Sequence, residues 1–216
     1  AELRRGCAAV CAYMKAHALE PAAAMVRLDG AYGYVPSIGI ALESGVGYLA
    51  RCADYRLLEQ LQLLPRLERL EPEVLGLPDS GVQRRIYDAG HIQWHAGHKN
   101  EGLVQPRLLL SVRPPGPNEE NKPRIGKRIG ASIYELFVTD RSAEGFSAAD
   151  AVSLYLGRGA AEGLLRAEDR ELEPDRLYST RPCGQEWCQL LAQWVWNERL
   201  RLGAVAHSGA GRRTLW

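Results

Sequence analysis

The stretch from Phe146 to Pro174, FSAADAVSLYLGRGAAEGLLRAEDRELEP, constrains the fold more than any other part of the chain. Ser147 with Asp150 three residues later is a helix-start signature, the hydroxyl capping one backbone N–H and the carboxylate another. Pro174 supplies the stop, because its ring cannot continue a helix. At the helical period, Tyr155, Arg158, Glu162, Arg166 and Asp169 share an arc about 80° wide. Leu154, Ala161 and Leu165 line one side of it, and Leu156, Ala160, Leu164 and Ala167 take much of the remaining circumference. A helix apolar over most of its girth is expected to be buried, so its polar strip must face a cleft or a partner. An acid between arginines, with a tyrosine, suits a metal-binding carboxylate beside phosphate clamps. It suits equally a ladder of i,i+4 ion pairs, Arg158–Glu162–Arg166, and spacing alone does not separate the two. Gly157, Gly159 and Gly163 inside this stretch each cost roughly 1 kcal/mol against alanine, which asks for a close approach of another backbone or of DNA, or for relaxed selection.

Upstream, apolar periodicity predicts a helix over Leu3 to Leu19, ended by Pro21. Ala24 to Leu28 reads as a short buried strand terminated by Asp29-Gly30. A carboxylate at the end of such a strand is where α/β proteins place reacting groups, although Asp-Gly is also an ordinary turn dipeptide. A short helix follows over Ser37 to Ser44, then a second strand over Gly47 to Asp54. Leucines at helical spacing predict a helix from Tyr55 to Leu70, bent at Pro65. From Pro72 to about Gly130 the character changes, and short alternating runs, Val82 to Tyr87, Ile92 to His95 and Arg107 to Val112, read as antiparallel strands. Ser132 to Thr139 is strongly β-prone and leads directly into the stretch above. Beyond Pro174, Glu186 to Leu202 reads as an amphipathic helix whose Trp187, Leu190, Leu191, Trp194 and Val195 are expected in the core. Strands alternating with helices, with a β-rich segment between, argue for an interrupted α/β core.

The net charge is +1 over 216 residues, so any nucleic-acid surface must be local. The local candidate is Asn121 to Gly130, where Lys122, Arg124, Lys127 and Arg128 occur with no acid between them; a solvated loop is the simple alternative to phosphate contact. Five scattered cysteines suggest a reducing cytoplasm rather than a disulfide framework. Cys7/Cys11 and Cys183/Cys188 could each supply half a zinc site, but small buried apolar residues on helix faces account for them as well. His91, His95 and His98 have helical spacing, yet Gly90 and Gly97 interrupt a helix there. No apolar run approaches the roughly 20 residues of a membrane span.

Tyr155-x2-Arg158-x3-Glu162, with Asp169 seven residues on, resembles the YREK signature of DDE-type transposases from bacterial insertion sequences. The strand SIYELFVTD before it, the text RAEDRELEPDRLYS after it, and VRLDGAYG around Asp29 are similar to the same family. So is the order of the parts, with a β-rich insertion between the aspartate and the glutamate. The resemblance runs from about Met25 to Leu202.

The resemblance implies a ribonuclease H-like fold, with residues 1–71 as the first part of the core, 72–130 as the β-rich insertion, 131–203 as the second part and 204–216 as a tail. It implies Mg²⁺, with Mn²⁺ as a substitute, held by Asp29 and Glu162 as catalytic carboxylates. It implies contacts from Tyr155 and Arg158 to DNA phosphate, double-stranded DNA of element ends and target as partner, and a homodimer. Two departures stand out. No aspartate precedes Asp29, so the family's first catalytic aspartate and the N-terminal strands of the core are missing from this chain. Asp169 occupies the lysine position, leaving Arg166 and Arg170 to supply cations on that face. The expected activity is metal-dependent phosphodiester hydrolysis and strand transfer by the longer protein, this piece being inactive alone. The alternative is a non-catalytic DNA-binding remnant of a transposase.

Overall fold

The computed structural model describes residues 2–76, 83–95, 102–116, 119, 123, 125–157 and 179–206. Two compact units divide the chain after Gly157. In the first, helix α1 (Glu2–Ala16) is followed by a 3-10 turn at Pro21–Ala23, strand β1 (Met25–Leu28), helix α2 (Val35–Ser44) and strand β2 (Gly47–Cys52). Two short helices, α3 (Leu57–Gln60) and α4 (Leu63–Leu67), come next. Then come β3 (Glu73–Gly76), β4 (Gln83–His91), β5 (Trp94–His95), β6 (Leu103–Val104), β7 (Arg107–Arg113), β8 (Lys127–Ile129), β9 (Ser132–Thr139) and α5 (Ala148–Leu156).

Seven of these strands form one mixed sheet in the order β1-β2-β9-β7-β4-β3, with β8 also on β9, while β5 and β6 pair apart from it. Among the described strands of this sheet only β1 and β2 are parallel, and every other pair is antiparallel. The fold is therefore mixed α/β, and the strands of the 72–130 segment that lie in this sheet join the β1–β2 pair through β9. One edge of β9 is divided: β8 takes Ser132 to Tyr134, and β2 takes Leu136 to Thr139.

Alternation along the strands gives the sheet two unlike faces. Leu28, Tyr48, Ala50, Leu136, Val138, Leu108 and Leu110 belong to the larger apolar cluster, shared with Val35, Ile38 and Ala41 of α2 and with Leu57, Leu58 and Leu63 of α3 and α4. The opposite face carries Leu49, Phe137, Leu109 and Ile86 under Ala148, Ala151, Val152 and Tyr155 of α5. That second face also holds charge. Glu135, 2% exposed, accepts from Arg84 at 2.7 Å and from Arg113 at 3.0 Å, so each buried charge has a partner. Loss of one partner would leave the other ionised and desolvated, which is the costly case.

Three local expectations are corrected. The helix over Tyr55 to Leu70 breaks at Gln62, which adopts φ 46°, and Pro65 sits inside α4; proline at the start of a helix loses no bond the helix would make. At the head of α5, Ser147 Oγ accepts from the Asp150 N–H, as the signature predicts, but the Asp150 carboxylate takes the Ser147 hydroxyl. The further cap comes from Glu73 of β3, which accepts from the N–H groups of Ala148 and Ala149 at 3.1 and 2.9 Å. The third correction is in the second unit, where helix α6 (Pro182–Ala206) leaves Trp187, Leu190, Leu191, Trp194 and Val195 exposed and buries Trp196. Periodicity places residues on a common stripe without saying which side of the helix is covered. The predicted helix 147–174 is described only as far as Leu156, and Gly157 is its C-cap.

Candidate functional site at the ends of the parallel strands

Met25, Val26, Arg27 and Leu28 pair with Gly47, Tyr48, Leu49 and Ala50, so the chain leaves both parallel strands at the same edge of the sheet. That edge is where open α/β sheets form binding crevices, because the connecting loops diverge there. Asp29 is the first residue past β1. Its Oδ1 accepts from the Ala31 N–H at 2.9 Å, and its carbonyl accepts from the Tyr32 N–H at 3.0 Å. Asp29 thus builds the turn as the dipeptide reading expects, while its Oδ2 makes no hydrogen bond among the described residues. The loop then crosses the end of β2. A Cβ on Gly33 would collide with the Arg51 carbonyl, so only glycine lets the loop lie so close.

Helix α5 is fixed across the sheet at three points, from β3 at one edge to β1 at the other. Glu73 caps its N-terminus. In its last turn, Tyr155 packs edge-on against Phe137 at 5.0 Å, and the Arg51 guanidinium lies over the Tyr155 ring at 5.1 Å. In the same turn, Arg27 donates to the Leu154 carbonyl at 2.9 Å. Arg27 is two residues before Asp29, so the helix end is tied to the strand that presents this carboxylate. Tyr155 is 1% exposed and packs between helix and sheet.

Glu162, Arg158, Arg166, Lys122 and Arg124 lie outside the described residues, as does Asp169. Of the basic stretch, Lys127 and Arg128 are seen in β8. Lys127 pairs with the exposed Glu59 at 2.9 Å, and Arg128 donates to the carbonyls of Gly130 and Glu119. The structure brings Lys127 to the loop that follows Asp29: both border a cleft of about 670 Å³.

Sequence reasoning did not single out the centre of that cleft. Asp54 follows β2 much as Asp29 follows β1, and this repetition was the available signal. Arg56 grips it with Nε to Oδ1 at 2.7 Å and Nη2 to Oδ2 at 3.0 Å, and Trp94 of β5 donates Nε1–H to Oδ2 at 3.2 Å. The Arg56 hydrogen bonds hold the Asp54 carboxyl below its ordinary value, against the opposing effect of burial and with help from Trp94. Nearby, burial pushes the Cys52 thiol up to about 12, which leaves it an inert packing group at neutral pH.

Among the described residues, no three acids, histidines or cysteines come together as a metal cage. Asp29 is a hard oxygen donor of the type Mg²⁺ and Mn²⁺ take, and Glu162 is of the same chemistry. No helix among the described residues is long and apolar enough to cross a membrane.

No family model matches the chain, and no curated protein matches it.

Proposed function

We propose that the chain is part of a DDE-type DNA transposase whose longer protein performs metal-dependent phosphodiester hydrolysis and strand transfer at insertion-sequence ends. One observation carries the reading: Arg27, on the strand that ends in Asp29, holds the last turn of α5 through the Leu154 carbonyl. The described part of the helix, which precedes Arg158 and Glu162 in the sequence, is thereby tied to the strand that ends in Asp29. This supports the phosphate-facing use of the helix over a ladder of surface ion pairs.

In this proposal Asp29 and Glu162 hold Mg²⁺, or Mn²⁺ in its place. The metal would supply activation of water or a 3′-hydroxyl and stabilisation of the leaving oxygen. Arg158 and Arg166 hold DNA phosphate through planar forks that match its oxygens. Lys122, Arg124, Lys127 and Arg128 supply further backbone contacts. Double-stranded DNA is the partner, and two copies act on paired ends.

The test is nicking of element-end DNA by the full-length protein with Mg²⁺ or Mn²⁺. Asp29→Ala and Glu162→Ala are each expected to abolish cleavage while DNA binding persists. Cleavage by either variant at the parent's rate would remove that residue from the site. Salt-sensitive binding with no cleavage under either metal would instead establish the DNA-binding remnant.

A further inference from the structure

A hollow between α4 and the sheet shares no lining residue with the cleft at the ends of the parallel strands, and the transposase reading makes no use of it. It measures about 410 Å³, at the small end of the roughly 300–1,000 Å³ typical of ligand sites. Strand register builds its floor. Arg85, Val112 and Tyr134 stand side by side on β4, β7 and β9, and Tyr87, two residues from Arg85, shares their face. Leu64, Pro65 and Leu67 of α4 line it from the helix side, with Glu68 at the end of that helix. Helix and floor are held together: Leu63 is fully buried, and Arg66 donates to the Ala89 carbonyl of β4 at 3.2 Å.

The polar side chains that border this hollow are unengaged. Among the described residues, the Arg85 guanidinium, the Glu68 carboxylate and the hydroxyls of Tyr87 and Tyr134 make no hydrogen bond, and Arg85 and Glu68 form no ion pair with each other. This sets Arg85 apart on the sheet. Arg27, Arg84, Arg107, Arg113 and Arg128 each donate to an acceptor, and Arg51 lies over Tyr155. A neighbouring hollow of about 530 Å³ also borders Arg85, but its other arginine, Arg113, is engaged by Glu119 and Glu135, and no acid lines it. Of the two, the hollow with Glu68 offers both signs of charge.

Opposite charges around one small hollow select a ligand by sign. A phosphate drawn to Arg85 meets the repulsion of Glu68, and a lone cation drawn to Glu68 meets that of Arg85. A molecule that carries both signs close together satisfies both. The two hydroxyls can donate to or accept from its polar head, and Leu64, Leu67 and Val112 leave the rest of the space to an apolar body. We propose that this hollow binds a free amino acid with an apolar side chain, its carboxylate on Arg85, its ammonium on Glu68 and its side chain against Leu64, Leu67 and Val112. The site goes beyond the transposase reading and draws nothing from it.

The experiment is equilibrium dialysis of the whole chain, in EDTA and without DNA, against radiolabelled L-leucine and L-phenylalanine. Saturable binding of either supports the proposal. Unlabelled analogues then compete: isocaproate and hydrocinnamate lack the ammonium, and isoamylamine and phenethylamine lack the carboxylate. Each is expected to compete at least about tenfold more weakly than the amino acid it mimics, having lost one charged hydrogen bond. Arg85→Gln and Glu68→Gln should each weaken the labelled amino acid by about tenfold or more, while Arg5→Gln on α1 leaves it unchanged. Glu68→Gln should in addition let the acid analogue compete as well as the amino acid. Both side chains are exposed, and circular-dichroism melts check that the variants fold. The analogue series tests the proposal on the parent chain even where a variant is lost. No saturable binding, an acid or amine that competes as well as its amino acid on the parent, or binding indifferent to Arg85 and Glu68 overturns the proposal. Because the assay contains neither DNA nor metal, its outcome leaves the roles of Asp29 and Glu162 standing, and their failure leaves this result standing.

Discussion

At the scale of single residues, Asp54 gives the clearest dependence on conditions. An ordinary aspartate titrates near pH ~3.9. Here the Arg56 fork, aided by the Trp94 N–H, outweighs burial and depresses the folded-state value. A carboxyl whose pKa is lowered by folding adds stability at every pH above its unfolded value. That stability drains away as the pH falls through the lower, folded value. Urea denaturation of the parent and of Asp54→Asn should therefore show the parent ahead at about pH 7 and the gap shrinking below about pH 4. A gap that is the same at both would mean that the pair contributes nothing to folding. Asp29 differs: one oxygen closes a local turn, and the other makes no hydrogen bond among the described residues.

At the scale of elements, α5 shows how a helix can be placed from outside itself. Its own sequence supplies the Ser147 cap, but Glu73 comes from a strand 75 residues earlier and satisfies the first two N–H groups of the helix. Replacing Glu73 with alanine is expected to cost about 1 kcal/mol, the usual value of an N-cap, in equilibrium urea unfolding. Glu73→Gln should recover part of that loss, since an amide oxygen still accepts. An unchanged midpoint in Glu73→Ala would show that water caps the helix equally well.

The same element shows why some of the fold was legible in sequence and some was not. β1, β2, β7 and β9 were readable because each is a run of apolar and β-branched residues bounded by turns. The sequence Glu73-Val-Leu-Gly was not, because four residues at a sheet edge lack a period of their own and are strand only through pairing with β4. The break at Gln62 was hidden for a related reason, the leucines on both sides keeping helical spacing through it. Of the site, Asp29 was legible from its position after an apolar strand. The clamp of Arg27 on Leu154 spans 127 residues, and the Asp54–Trp94 bond spans 40; neither has a local signature.

At the scale of the whole molecule, a net charge of +1 leaves no long-range field to draw DNA in. On the proposed function, DNA binding would come from the basic stretch and its neighbours, and salt dependence would report how many phosphates they neutralise. Changing Lys122, Arg124, Lys127 and Arg128 together to glutamine should flatten the plot of log affinity against log salt by about 0.9 for each phosphate left without its cation, so by roughly 3–4 at most. A slope equal to the parent's would place the DNA elsewhere.

The divided edge of β9 has a consequence for how the protein is made. β9 lies between β2 and β7 and holds β8 as well, yet among the described strands of the sheet it is the last to leave the ribosome. Until Thr139 has been synthesised, β2 and β7 each present an unsatisfied rim of backbone N–H and carbonyl groups, the kind of rim on which nascent chains aggregate. The sheet closes from its centre, and it closes late. During synthesis the protein is thus two half-sheets waiting for a keystone, and the yield of folded protein will depend on how long they wait.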